Sequence, residues 1–192
     1  MRERCTPRAG AASAGARLPG GRRALTLDEL QARVGQELGC SSWLRIDQAA
    51  IRGFADLTHD WQDIHVDATA ARASGFGGTI AHGFLTLSLL SAMAEEVVPR
   101  VEGLRRSVNY GLDHLRFLAP VRCGDRVRGR FTLEQAGLRA PGQYQLKHSV
   151  VVQIEQRDRP ALVAQWLVLL VAADAEPGAR LAQTRAAAGE AP

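Results

Sequence analysis

At 192 residues the chain can bury a single well-packed core and is too short to divide comfortably into two domains. With 46% hydrophobic and 23% charged residues it reads as an ordinary globular protein, and no stretch approaches the roughly 18 uncharged apolar residues of a membrane span. The net charge of +4 excludes less than it suggests: residues 1–24 carry +5 (Arg2, Arg4, Arg8, Arg17, Arg22 and Arg23 against Glu3), which leaves −1 on the rest and no reason to expect a nucleic-acid partner.

The first 24 residues lack the apolar block of a signal peptide. They read as a disordered basic tail, with a transit peptide as the alternative. Cys5, Cys40 and Cys123 are odd in number and form no CxxC pair, which argues for a reducing compartment and against a disulfide framework. A cytoplasmic location is therefore expected. One domain is predicted over 25–173, followed by a second disordered tail over 174–192, rich in Ala and Gly.

Thr26 and Glu29 make a capping-box signature, and Leu27, Leu30, Val34 and Leu38 recur at helical spacing, so a helix is predicted to start the domain. A short strand near Trp43–Ile46 leads to Asp47, an N-cap for a helix carrying Ile51 and Phe54. Residues 55–79 read as irregular and polar, with one short helix near Asp67 and a loop at Gly75, Gly77 and Gly78. Leu85, Leu87, Leu89, Leu90, Met93 and Val97 then cover nearly every direction of a helix that stops at Pro99, which predicts a buried helix. Four strands follow. The first spans 105–118 with an interruption at Gly111. The second alternates Val127, Phe131 and Leu133 with Arg126, Arg128 and Arg130. The third carries Leu146, His148, Val150, Val152 and Ile154 on one face, and the fourth spans 162–172. Period-two alternation predicts a twisted antiparallel sheet with one covered face, and the apolar helix is its obvious cover. The fold class is α+β.

Chemistry concentrates in Phe54–Ala71, where Asp60 and His65 stand five residues apart between two predicted helices. A second polar cluster, Thr79-Ile-Ala-His82-Gly83-Phe84, leads into the buried helix. The first turn of a helix presents free N–H groups and partial positive charge, and a glycine there lets a ligand oxygen come close. A carboxylate and imidazole beside such a site are the parts needed for proton transfer next to a carbonyl. Taken singly, each residue has a plainer reading: Asp60 as a turn cap, His65 as a surface histidine, Ser91 as a helix-packing residue. The spacing of His59, His65 and His82 fits no HxxxH or HExxH helix, so no metal is expected.

These segments, with Asn109-Tyr-Gly-Leu and Arg116-Phe-Leu-Ala-Pro120, resemble the MaoC-like, R-specific enoyl-CoA hydratases, and most of all the NodN-like branch of 3-hydroxyacyl-thioester dehydratases. The resemblance covers roughly residues 26–172. It implies a hot-dog fold, in which one antiparallel sheet wraps a long helix. It implies that Asp60 and His65 hold the water that adds to, or leaves, an acyl thioester. Gly83 would point its N–H at the thioester oxygen, with Ser91, His82, Gln62, Asn109 and Arg116 supporting or lining the site. The substrate would be a (3R)-3-hydroxyacyl or trans-2-enoyl thioester of coenzyme A or acyl-carrier protein, with no further cofactor. Hot-dog domains expose sheet edges, so a homodimer is expected. The chain departs from the family's Gly before the Asp, which is His59 here, and from its Asn-Pro, here Gln62-Asp63. A hot-dog thioesterase and a non-catalytic thioester-binding protein are the alternatives.

Overall fold

The computed structural model describes residues 24–172. Residues 1–23 and 173–192, where both tails are expected, lie outside the described residues. Order starts on the capping box: Thr26 Oγ1 accepts from the Glu29 N–H at 3.2 Å and Glu29 Oε2 accepts from the Thr26 N–H at 2.8 Å. The helix it opens, α1, covers only Leu27–Gln31. The predicted run through Val34 to Leu38 fails, because the chain turns through Gly35 at φ 83° and pairs as strand β1, Glu37–Cys40. Gly35 donates to the Leu133 carbonyl at 2.7 Å, so sheet pairing overrides a helical spacing that extended by coincidence.

Strand β2 is Leu44–Arg45. Asp47 caps α2, Gln48–Thr58, with its Oδ1 accepting from the Ala50 N–H at 2.8 Å, and Ile51 and Ala55 are the buried side of that helix. Most of the segment expected to be irregular is helical: α2 continues to Thr58, and α3 (Asp63–Val66) and α4 (Ala68–Ala73) follow. Each of these short helices buries one residue, His65 or Ala71, too few to leave a periodic pattern in the sequence. The Asp67 carboxylate caps α4 by accepting from the N–H groups of Thr69 and Ala70.

The central helix is in two pieces, α5 (Gly83–Ser88) and α6 (Leu90–Val97), joined at Leu89. It is not buried all round. Thr86, Leu90, Met93, Ala94 and Val97 face the core, whereas Phe84, Ser88, Ser91, Ala92 and Glu95 are exposed. The sheet adds β3 (Leu104–Phe117), β4 (Arg126–Ala140), β5 (Gln143–Ile154) and β6 (Leu162–Ala172). All pairs are antiparallel, in the order β1-β4-β5-β6-β3, with β2 also on β4. Val127, Phe131, Leu133, Leu146, Val150 and Val152 line the concave side with the helix residues Met93 and Val97. Gly129 makes room there, since a Cβ would lie 2.6 Å from the Phe131 ring and 3.1 Å from Met93 Sδ. This is the expected hot-dog arrangement.

Outward arginines of β4 are engaged locally: Arg126 with Glu155 at 3.0 Å, Arg130 with Glu37 at 2.6 Å, and Arg128 over the Trp43 ring at 4.5 Å. Among the described residues strand β3 forms an open edge, with register shifts either side of Gly111 and with Val108, Leu112 and Phe117 exposed. Cys123 is a free, exposed thiol. Among the described residues no helix is long and apolar enough to cross a membrane.

Candidate active site

Helix α2 ends on His59 in the left-handed region (φ 57°, ψ 24°), which reverses the chain and sets Asp60 at the start of the following turn. A glycine meets this conformation without the Cβ penalty, and His59 accepts it at a cost. Helix α3 then carries His65 inward, leaving it 6% exposed. Residues 79–82 run back beside α3, held by Ile80 N–H to the Ile64 carbonyl at 3.0 Å, Ala81 N–H to Val121 at 2.7 Å, and Cys123 N–H to Thr79 at 2.8 Å.

That second segment orients both imidazoles. His65 Nδ1 lies 2.7 Å from the Ile80 carbonyl. A carbonyl only accepts, so Nδ1 carries the proton and Nε2 keeps a bare lone pair. His82 Nε2 lies 2.9 Å from the main-chain carbonyl of Asp60, so it too must donate. His82 Nδ1 is buried with no hydrogen-bond partner among the described residues. The two rings stack, 3.7 Å between centroids and 26° between planes, and Phe54 of α2 packs on His82 at 5.0 Å. One residue therefore ties the Asp60 turn to the His65 ring at the start of α5.

Burial is the largest influence on His65 and pushes its pKa below the usual histidine value. The bond to Ile80 and the Asp60 carboxylate act in the opposite direction, and His82 adds to the lowering. His65 is thus neutral near pH 7, with a lone pair free to accept a proton.

A carboxylate oxygen of Asp60 and one nitrogen from each of His65 and His82 lie within 4.8 Å of one another, close enough to raise the question of a metal. The stack argues against one. Ligating imidazoles aim their lone pairs at the ion in the ring plane, at about 2.0–2.1 Å. Two rings stacked nearly face to face do not aim their lone pairs at a common point, so this pair does not present that geometry.

A cleft of about 310 Å³ opens beside His65. Ile80, Ala81, Gly83 and Thr86 form one wall, and Phe117–Val121 with Ala161 form the other. Gly83 is the first residue of α5, in the turn whose N–H groups have no intrahelical acceptor. A Cβ on it would stand 3.0–3.1 Å from the Phe117 ring, so a side chain there would crowd the cleft. His65 and the helix start at Gly83 line this cleft, and the Asp60 carboxylate lies within 4.8 Å of a His65 ring nitrogen; such a set can hold a water against a polarised carbonyl compound.

The structure gathers Asp60, His65, His82 and Gly83. It puts Ser91 and Asn109 elsewhere, on a second cleft of about 300 Å³ further along the same helix, lined also by Leu87, Leu112 and Trp166. Asn109 Nδ2 donates to Ser91 Oγ at 3.3 Å, bridging β3 and α6. Gln62 is exposed at the N-cap of α3 with no side-chain cap bond, although its carbonyl accepts from the His65 N–H at 2.9 Å. Arg116 is exposed on β3 and donates to the Leu115 carbonyl. Sequence reasoning missed the Ile80 carbonyl, the Phe117 ring over Gly83, and Gln48, which donates to the His65 carbonyl and accepts from the Thr79 hydroxyl. A bond to a main-chain carbonyl leaves no residue-type signature, so no spacing rule could have found them.

Residues 29–153 match the MaoC like domain family. The chain is 50% identical over 147 residues to nodulation protein N of Rhizobium leguminosarum bv. viciae, covering 76% of this chain and 91% of that one. It is 42% identical over 144 residues to 3-hydroxyacyl-thioester dehydratase Z of Mycobacterium tuberculosis, covering 75% and 95%. Among solved structures, the (R)-hydratase from A. caviae involved in PHA biosynthesis superposes with a TM-score of 0.55 at 26% identity, over 70% of this chain and 94% of that one.

Proposed function

This chain belongs to the MaoC-like domain family, and we propose that it is a (3R)-3-hydroxyacyl-thioester dehydratase that also runs in reverse as a trans-2-enoyl-CoA hydratase. It is an enzyme of the hydratase/dehydratase class acting on acyl thioesters. The observation that carries the finer reading is the orientation of His65. Its Nδ1 is committed to Ile80, which leaves Nε2 as the free nitrogen of a residue that lines the cleft with Gly83 and stands close to the Asp60 carboxylate.

In this reading a water sits between Asp60 and His65. The Asp60 carboxylate accepts a hydrogen bond from the O–H that stays on the oxygen, and His65 Nε2 takes the proton of the other as the oxygen attacks the β-carbon. The electron pair of the double bond moves toward the thioester carbonyl, where the Gly83 N–H and the helix start stabilise the enolate. The proton held by the pair is returned to the α-carbon, and dehydration retraces these steps. His82 holds Asp60 and His65 in register; Ser91 and Asn109, with Arg116 beyond them, line the course of the acyl chain along α5 and α6; Gln62 supports the turn through its backbone. No metal or cofactor takes part, and the carrier is coenzyme A or acyl-carrier protein. A cytoplasmic location belongs to the same reading, since that is where such thioesters are made. A homodimer through the open β3 edge completes it, supported by the exposed apolar residues there.

The test is incubation with crotonyl-CoA, following loss of the enoyl absorbance alongside release of free thiol. Enoyl loss that falls by about 10²-fold or more in both Asp60→Asn and His65→Ala is the expected result. Thiol release would instead mark a thioesterase, and silence in both assays a binding protein.

A further inference from the structure

We propose that Gln48 is a positioning residue for His65, acting through a closed ring of hydrogen bonds with Thr79; the kinetic part of this rests on the hydratase reading. Gln48 is the first residue of α2, immediately after the Asp47 cap. Its Nε2 donates to the His65 carbonyl at 2.8 Å, across 17 residues of sequence. Its Oε1 accepts from Thr79 Oγ1 at 2.5 Å, across 31 residues. Thr79 is covalently next to Ile80, whose carbonyl fixes the His65 ring and whose N–H donates to Ile64.

The bonds close on themselves. One amide side chain holds the backbone of His65 with its donor end and the segment that accepts the His65 ring with its acceptor end. The two strands of chain that must stay in register for Nδ1–H to meet the Ile80 carbonyl are thus pinned by a third element, α2. The polarity is fixed as well, because the His65 carbonyl can only accept and so takes the amide Nε2, which leaves Oε1 to accept from the Thr79 hydroxyl. Thr79 and His65 are buried, so these bonds are shielded from water, and removing one partner leaves the other unsatisfied. Gln48 touches no part of the cleft and acts only through His65.

The geometry makes a readout available that a merely structural role would not move. With the ring held, the His65 proton resides on Nδ1. With the clamp loosened, the ring relaxes toward the tautomer that free imidazole side chains prefer, protonated on Nε2. The experiment compares wild type with Gln48→Met, Thr79→Val and Thr79→Ser in the full-length protein. It measures kcat and KM on crotonyl-CoA, and the His65 tautomer from its nitrogen-15 shifts. Gln48→Met should lower kcat about tenfold or more with KM within twofold, since misplacing a catalytic group by an ångström costs up to about 10²-fold. Thr79→Val should do the same to a smaller extent, and Thr79→Ser, which keeps the hydroxyl, should restore both rate and tautomer. A His65 still protonated on Nδ1 in Gln48→Met overturns the proposal, whatever the rate does. Should Gln48→Met fail to fold, the Val and Ser pair at Thr79 decides by the same criterion. A wild type inactive on every thioester would sink the hydratase reading, yet the tautomer comparison would still decide this one.

Discussion

Two histidines of this fold are buried in opposite ways. His65 sits in the polar turn-and-helix segment, with Nδ1 bonded to a carbonyl, its ring stacked on His82 and the residue on the wall of a cleft. His148 stands on the concave face of β5, 1% exposed, opposite Leu133 and Trp166, with neither ring nitrogen hydrogen-bonded among the described residues. Burial lowers the pKa of both, that of His148 to about 4. The difference teaches that a depressed pKa is not by itself a sign of function. What makes His65 a candidate base is the fixed tautomer and the open side of its ring; His148 shares only the desolvation.

The comparison breaks most visibly in kinetics. His65→Ala should lower kcat by about 10²- to 10⁴-fold, while His148→Leu should leave it within about twofold. Equal losses in steady-state crotonyl-CoA hydration would erase the distinction.

Acid stability sharpens it from the other side. The folded pKa of His148 lies below the unfolded value of 6.5, so the unfolded chain binds the extra proton between pH 6.5 and about 4. Stability is full above pH 6.5 and falls as pH drops through that window, by about 3 kcal/mol at most. Urea midpoints taken across this range should slope less steeply in His148→Leu than in wild type. His65 contributes in the same direction and remains in both proteins.

The smallest expected effect concerns the turn that carries Asp60. His59→Gly should stabilise the protein by about 1 kcal/mol, because the left-handed C-cap suits a residue without a Cβ. Thermal denaturation would show it. No gain would mean that the His59 side chain makes up for its backbone.

Much of this fold was legible in the sequence because its signals are local. The capping box at Thr26 and Glu29, the Asp47 cap and the strict alternation of β4 and β5 each dictate an element with little help from elsewhere. The failures share a cause. Leu38 continued a helical spacing but was claimed by pairing of β1 with β4, a partner nearly a hundred residues away. Helices α3 and α4 bury one residue each and so carry no period. Leu85 and Leu87 suggested a helix enclosed on all sides, yet Phe84, Ser88 and Ser91 are exposed, because sequence hydrophobicity does not say which chain provides the cover. At the site, residue types and spacing picked out Asp60, His65 and Gly83. The hydrogen bonds that orient them run to main-chain carbonyls of Ile80, Asp60 and His65, which every residue possesses.

The open edge of β3 carries a consequence for handling the protein. Among the described residues, the fourteen of β3 end the sheet with no strand on their outer side, and apolar side chains at Val108, Leu112 and Phe117 stand there exposed. Phe117 also walls the cleft next to Gly83, so whatever settles on that edge reaches the chemistry. If a second copy settles there, mass action governs both melting temperature and specific activity. Each would then drop together on dilution, and an assay at nanomolar protein would describe a different object from a melt at tens of micromolar.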